Sequence, residues 1–319
     1  MQIEMRKVSL GSSGEQVSAL CLGAMFLGTK TDIETSHAIL DLYVEHGGTF
    51  IDTANIYAHW VPGGKGGESE TLLGDWMRKR QNRSRLFLAT KVGFQYPTVE
   101  RGLKAAGIQA ECDRSLRRLG IEAIDLFYAH VDDRATPLEE TLEAFDRLVR
   151  AGKVRFLGAS NFLAWRLAQA RTASRARSWA DYCCIQQRYT YLQPKPGASF
   201  DPQLAANSDL LDFCASSGVT LLAYSPLLGG AYTRADRSIP EQYVWRDTED
   251  RLGRLKKLAR ETGATPNQLV LAWLMQATPA AIPVMAGGTV EQVRENLGAL
   301  SIKLSDEQVG FLSKSNGSV

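Results

Sequence analysis

Three strand-like runs of this chain each finish on an ionisable side chain. Phe50-Ile51 leads into Asp52, Leu86-Phe-Leu-Ala-Thr leads into Lys91, and Ile124-Asp-Leu-Phe-Tyr-Ala leads into His130. A phenol, Tyr57, follows Asp52 in the next loop. A carboxylate at an apolar strand end is costly unless a cation answers it, and Lys91 is the candidate. An ammonium beside a phenol favours phenolate, so Tyr57 is expected to lose proton affinity and to act as a general acid toward a carbonyl oxygen. His130 would orient that oxygen by donating a hydrogen bond. Each residue alone has a plain explanation: Asp52 as a helix N-cap, Lys91 as a snorkelling cation, His130 as a bonded core histidine, Tyr57 as a loop aromatic. Their recurrence on consecutive strand ends is what argues for chemistry.

The elements that must position them alternate regularly. Residues 7–20 read as a hairpin turning at Gly11-Ser-Ser-Gly14, and Cys21-Leu-Gly-Ala-Met25 as a first core strand. A helix opened by a Thr31/Glu34 capping box precedes the Phe50 strand, and a helix over 69–80 follows it. After the Lys91 strand, Ile108, Cys112, Leu116 and Leu119 recur at helical spacing. After the His130 strand, Thr136-Pro-Leu-Glu139 predicts a capped helix with Pro137 at its first position. Strands at 154–160, 182–188, 220–224 and 281–285 come next, with helices over 162–172, 208–217, 249–262, 266–277, 289–300 and 305–313. A connection over 225–248 is long enough to be functional. Eight strands alternating with helices, with no linker or composition break, predict one α/β domain over 1–319. It is a single (β/α)8 TIM barrel with an N-terminal β-hairpin and extra C-terminal helices. An open doubly wound sheet would want G-x-G-x-x-G after its first strand, where this chain has Phe26-Leu-Gly-Thr.

In such a barrel the strand ends face the active site. The constellation there resembles the aldo-keto reductases. Their D-T-A-x-x-Y segment appears as Asp52-Thr-Ala-Asn-Ile-Tyr57, their T-K lysine as Thr90-Lys91, and their strand ending in His as Asp125-Leu-Phe-Tyr-Ala-His130. The resemblance implies that Asp52, Tyr57, Lys91 and His130 are the catalytic tetrad of an NAD(P)-dependent carbonyl reductase. It continues in Gly158-Ala-Ser160-Asn161 and Gln186, which imply a grip on the nicotinamide carboxamide. Tyr224-Ser225-Pro226-Leu227 implies a stacking tyrosine and a loop around the pyrophosphate, with Gly229, Gly230 and Arg234 in that loop. Gly23 and Met25, at the end of the first strand, and Gly287, Gln292 and Asn296, after the eighth, complete the implied cofactor contacts. Gly66-Gly-Glu-Ser-Glu70 and Ser115-Leu-Arg-Arg-Leu-Gly120 match family segments as well. One departure concerns the cofactor. Gly288 stands where the family carries a basic residue near an adenosine 2′-phosphate. The expectation is NADPH, with NADH possible because that cation is missing. Trp60, Tyr243 and Trp245, on loops of the same face, are expected to contact substrate, Trp60 as a pocket wall and Tyr243 and Trp245 as a lid, with plain packing the alternative for those two. The carbonyl itself is left open, with a lean toward sugar-like substrates.

Composition sets the remaining bounds. A net charge of +2 gives no sign of a nucleic-acid partner, and Arg171, Arg175 and Arg177 read as a solvated helix end. No apolar run approaches the roughly 20 residues of a membrane span, and Met1 to Leu10 lacks a signal core. A cytoplasmic protein acting on a small-molecule carbonyl or alcohol is expected, with oligomeric state open. Five cysteines without a C-x-x-C pair read as buried thiols, and four histidines without H-E-x-x-H give no zinc site. Gly63-Gly-Lys-Gly-Gly67 lacks the G-K-[ST] ending of a phosphate loop and reads as a flexible connection. A second reading carried by the resemblance is a nucleotide-binding regulatory subunit of the channel β-subunit type. The lack of an extension before the Lys7 hairpin disfavours it. A third, a metal-dependent barrel hydrolase, lacks clustered ligands.

Overall fold

The computed structural model describes residues 4–314. The outermost residues of the expected 1–319 domain lie outside that range. In chain order the elements are β1 (Lys7–Ser9), β2 (Gln16–Ser18), β3 (Cys21–Gly23), α1 (Ile33–Glu45), β4 (Phe50–Asp52), α2 (Glu68–Arg80), β5 (Phe87–Val92) and α3 (Ala105–Leu119). Then come β6 (Ile124–Ala129), α4 (Leu138–Arg150), β7 (Val154–Ser160), α5 (Ala164–Ala176), β8 (Tyr182–Arg188), α6 (Ser208–Ser217) and β9 (Thr220–Tyr224). The chain ends through α7 (Thr248–Thr262), α8 (Pro266–Gln276), β10 (Ala281–Met285), α9 (Val290–Leu297) and α10 (Asp306–Ser313). Strands β3 to β10 are parallel and close into a barrel, with β10 pairing back to β3. The antiparallel β1–β2 hairpin forms the expected separate sheet.

Two cores follow from the period of two along each strand. Phe50, Phe87, Ala89, Leu126, Tyr128, Cys184 and Leu222 belong to an interior cluster that also takes Leu10 and Val17 from the hairpin. Ile51, Leu88, Phe127, Ala129 and Ile185 belong instead to the larger core under the helices. The hairpin thus plugs the end of the barrel where the strands begin. The same alternation sends Asp52, Lys91, His130 and Gln186 inward at the other end. Asp52 pairs in register with Ala89, and Lys91 with Tyr128, so the lysine stands one inward step above the carboxylate.

Several local expectations change. Helix α1 is capped by Asp32, whose carboxylate takes the Thr35 backbone N–H at 2.8 Å and the Thr35 hydroxyl at 2.7 Å. The Thr31/Glu34 box does not form, because a carboxylate accepts both donors at once. Thr136 gives its hydroxyl to Asp133 at 2.6 Å, so Pro137 sits at the cap of α4 and Leu138 starts the helix. Helix α5 begins at Ala164, after Asn161 turns through a left-handed conformation (φ 57°). Arg171 is not solvated: it is buried, with Nε on Asp181 at 3.0 Å. The expected caps of the last helices do form, with Thr265 and Ser305 each in a capping box. All five cysteines are buried and free. Among the described residues no helix is long and apolar enough to cross a membrane.

Candidate active site

Asp52 and Lys91 form an ion pair at the barrel mouth, both essentially closed to solvent. The Lys91 ammonium also donates to the Thr53 carbonyl at 2.8 Å and meets the Tyr57 hydroxyl at 2.9 Å. Its three protons therefore have three acceptors, which fixes its position. Burial works against a charged Lys91, but Asp52 and Tyr57 reverse that and hold its pKa above the usual value. Burial pushes Asp52 up, and Lys91 and Gln186 pull it down without cancelling that. Both Asp52 oxygens accept from N–H donors, Lys91 on one and the Gln186 amide on the other at 2.8 Å, which is the geometry of an ionised carboxylate.

Tyr57 departs from expectation. Burial raises its pKa, and Lys91 pulls downward without overcoming that. The resting phenol therefore keeps its proton at neutral pH, and Lys91 is poised to stabilise the phenolate once the proton leaves. His130 is buried, and burial followed by the Lys91 charge holds it well below the usual histidine value, so the ring is neutral. Its centroid lies 6.0 Å from that of Tyr57, and its Nδ1 is buried without a hydrogen-bond partner. A neutral imidazole and a protonated phenol above one ammonium can present two donors to a single oxygen.

The groups expected around a nucleotide occupy the neighbouring strand ends. Asn161 is held in place from both sides. Its amide donates to the His130 carbonyl at 2.9 Å and to Ser160 at 3.1 Å. Its oxygen accepts from the Tyr224 hydroxyl at 2.9 Å and the Leu204 N–H at 3.0 Å. Ser225 is left-handed, Pro226 accepts from Thr190 at 2.5 Å, and Leu227 is buried. Gly229 is also left-handed (φ 68°), and a Cβ there would meet nothing within 4 Å, so this turn faces open space. Arg234 is exposed and paired with Asp236 at 2.5 Å. Across the mouth, Gly23 pairs with Asp52 in register, and Met25 lies two residues beyond it. Gly287 packs tightly on α9, where a Cβ would come within 2.8 Å of Val293. The Gln292 oxygen takes the Gly288 N–H at 2.8 Å, and Asn296 is buried with its amide on the Ala286 carbonyl at 3.3 Å.

The three expected substrate contacts separate. Trp60 is 45% exposed and sits edge-on to both Tyr57 and Phe26, at 6.4 Å each. Tyr243 is closed off at 1% exposure and packs on Phe200 at 5.5 Å, so it is a packing residue of its loop rather than an open surface. Trp245 is half-buried and gives its indole N–H to the Gln193 carbonyl at 3.1 Å.

Sequence reasoning gave no role to the residues behind the tetrad. Outward-facing Thr53 meets Ser69 at 2.8 Å, Thr90 donates to Glu70 at 2.6 Å, and Arg118 donates to Glu70 at 2.6 Å. Asn55 and Tyr96 both donate to Glu111 at 2.6 Å, and burial together with the carboxylate neighbour pushes the Tyr96 phenol up to about 12. Ser69 and Glu70 come from the Gly66–Glu70 segment, Glu111 from α3, and Arg118 from the Ser115–Gly120 segment at the end of that helix. Gly66 and Gly67 pack against Tyr96 and Arg118, both left-handed, so that end of the glycine loop is built rather than flexible. Gln187 was also missed: its amide oxygen takes the Asn161 N–H at 2.9 Å and its nitrogen binds the Phe162 carbonyl at 3.2 Å. The signal was a polar residue at an outward strand position.

The match with known proteins is broad. The Aldo/keto reductase family model covers residues 19–316. An uncharacterized oxidoreductase, YrpG, of Bacillus subtilis is 32% identical over 97% of this chain and 95% of its own. The aryl-alcohol dehydrogenase [NADP(+)] of Phanerodontia chrysosporium is 30% identical over 94% of this chain and 83% of its own. Norsolorinic acid reductase A of Aspergillus parasiticus is 31% identical over 93% and 77%. A crystal structure of the thermostable aldo-keto reductase Tm1743 with the inhibitor epalrestat superposes with a TM-score of 0.76 at 32% identity, covering 97% of this chain and 98% of that one. A barrel with a buried carboxylate–ammonium pair under a phenol at its mouth, matched along almost its whole length, belongs to the aldo/keto reductase family of NAD(P)-dependent oxidoreductases.

Proposed function

We propose that this protein reduces an aldehyde or ketone to the alcohol, with Tyr57 as the proton donor. The observation that carries the reading is the Lys91 ammonium, held by buried Asp52 and 2.9 Å from the Tyr57 hydroxyl. A bound nicotinamide nucleotide would supply the hydride. Ser160, Asn161, Gln186 and Tyr224 are the groups that would hold its amide end. The open turn at Gly229 and the start of α9 suit its phosphates. As negative charge grows on the carbonyl oxygen, Tyr57 gives up its proton and Lys91 stabilises the phenolate left behind. Neutral His130 holds the oxygen by hydrogen bonding, and Asp52 keeps Lys91 charged and in place. The reverse oxidation uses the same groups.

For substrate we favour a flat aromatic carbonyl over a sugar-like one. Phe26, Trp60, Tyr57, His130 and Phe94 follow one another edge to face across the mouth, with Phe94 4.7 Å from His130. Such a wall suits an aromatic ring, and the names of the aryl-alcohol dehydrogenase and norsolorinic acid reductase relatives agree. NADPH is the proposed nucleotide, with NADH accepted because Gly288 offers no cation to a 2′-phosphate. Titration with both nucleotides, followed by aromatic and sugar aldehydes, tests the reading. Tyr57→Phe should lose roughly 10²–10⁴-fold in turnover while still binding nucleotide. Nucleotide binding without turnover of any carbonyl would return the regulatory-subunit reading.

A further inference from the structure

The loop carrying Tyr57 does not rest on the main core. Ala54, Ile56 and Tyr96 form a small cluster of their own, with Tyr57, Phe94 and Val99 against it. The polar anchor of that cluster is Glu111 on α3, itself 1% exposed. One Glu111 oxygen accepts from the Asn55 amide and from the Tyr96 hydroxyl, both at 2.6 Å, and the other accepts from Arg114 at 2.5 Å. Asn55 is buried and lies two residues before Tyr57; its backbone N–H donates to the Lys91 carbonyl at 3.3 Å. Tyr96 belongs to the loop that leaves β5, the strand of Lys91. Gly66, at the far end of the Tyr57 loop, lies against the Tyr96 ring, where a Cβ would come within 2.8 Å, so both ends of that loop meet the loop that follows β5. A single carboxylate therefore ties the loop of the phenol and the loop of the ammonium to one helix.

We propose that Glu111 is a positioning residue for the Tyr57–Lys91 contact. This rests on the reading of Tyr57 as proton donor. Without Glu111, the Asn55 amide and the Tyr96 hydroxyl lose their common acceptor while remaining enclosed, and the 54–57 turn is free to shift. A displacement of about 1 Å between a catalytic group and its reactant costs roughly 100-fold in rate. Nucleotide contacts on the opposite strand ends, from Ser160 to Tyr224, do not involve Glu111 and are left alone.

The test uses the full-length protein with nucleotide and an aromatic aldehyde. Glu111→Ala should lower kcat by roughly 10–100-fold while the nucleotide Kd moves less than about twofold. Glu111→Gln keeps an acceptor for Asn55 or Tyr96 and should recover most of the rate. Asn55→Ala, which leaves the Glu111–Arg114 and Glu111–Tyr96 contacts, should repeat much of the kcat loss, and it serves if Glu111→Ala does not fold. In a Tyr57→Phe background, Glu111→Ala should cost nothing further, since it acts through the phenol. An unchanged kcat in both single variants, or an equal loss with and without the Tyr57 hydroxyl, overturns the proposal. If Tyr57→Phe itself retains the wild-type rate, the reading of the proton donor fails, and the role of Glu111 falls with it.

Discussion

The two halves of the barrel mouth are finished to different degrees. Around Asp52 at the end of β4 and Lys91 on β5, with Gln186 reaching over from β8, every proton of Lys91 has an acceptor and both oxygens of Asp52 have donors, all in a closed space. On β9, α9 and the 225–248 connection, the same face is made of left-handed glycines, an exposed Arg234–Asp236 pair and an exposed Gly288. One half is locked before any ligand arrives; the other offers backbone and space. A proton donor needs a fixed distance to its ammonium, and the satisfied contacts of Lys91 and Asp52 fix that distance. A nucleotide is long and anionic, and open backbone N–H groups suit it better than a rigid pocket.

The sharpest way to break the locked half is to remove its cation. Lys91→Met leaves Asp52 buried with Gln186 as the side-chain donor that remains. Unfolding free energy should fall by about 3–5 kcal/mol, because an uncompensated buried carboxylate is left behind. Chemical denaturation measures this directly. Asp52→Asn in the same background should restore part of the loss, since the stranded charge is then gone. A Lys91→Met protein as stable as the wild type would mean the pair is not held as the distances say.

This contrast also explains what could be read from the chain. The barrel, the eight strands and the close approach of Asp52, Lys91, Tyr57 and His130 were legible because they depend on period two and on short spacings such as Asp52 to Tyr57. Gly66-Gly67 and Ser115–Gly120 were visible as segments but had no evident role. Their partners, Thr90 with Glu70 and Asn55 with Glu111, are far apart in sequence and meet only when the helices pack. The direction of the Tyr57 shift was misread for a similar reason. Spacing reveals the neighbouring ammonium, but not how deeply the phenol is enclosed, and burial outweighs the charge here. Tyr243 looked like a pocket aromatic because loops of that face usually are; its loop folds back onto Phe200 instead.

The open half can be sharpened by addition. A Cβ at Gly288 would find only the Gln292 oxygen, at 3.7 Å, and the position is exposed. Gly288→Arg should therefore be accommodated and supply a cation at the start of α9. A charge-assisted contact to a 2′-phosphate contributes about 1.5–3 kcal/mol, or roughly 10- to 100-fold in NADPH over NADH binding. Fluorescence titration with the two nucleotides reads the ratio. No change in the ratio would remove α9 from the adenosine end of the site.

The smallest expected effect separates the halves by pH. Burial and then Lys91 depress the His130 pKa, so the folded protein resists its protonation. The unfolded chain takes that proton near pH 6.5. Between the folded and unfolded values the unfolded state binds more protons, so stability is lost as pH falls below about 6.5, at up to ~1.4 kcal/mol per pH unit. His37, also depressed by burial and by Lys79 and Arg80, adds a slope of the same sign. Comparing denaturation of the wild type and His130→Gln between about pH 7.5 and 5.5 isolates the His130 share. The variant should lose less stability on acidification. Parallel curves would mean that His130 takes up a proton in the folded protein, and the neutral hydrogen-bond donor beside Tyr57 would have to be replaced by a charged one.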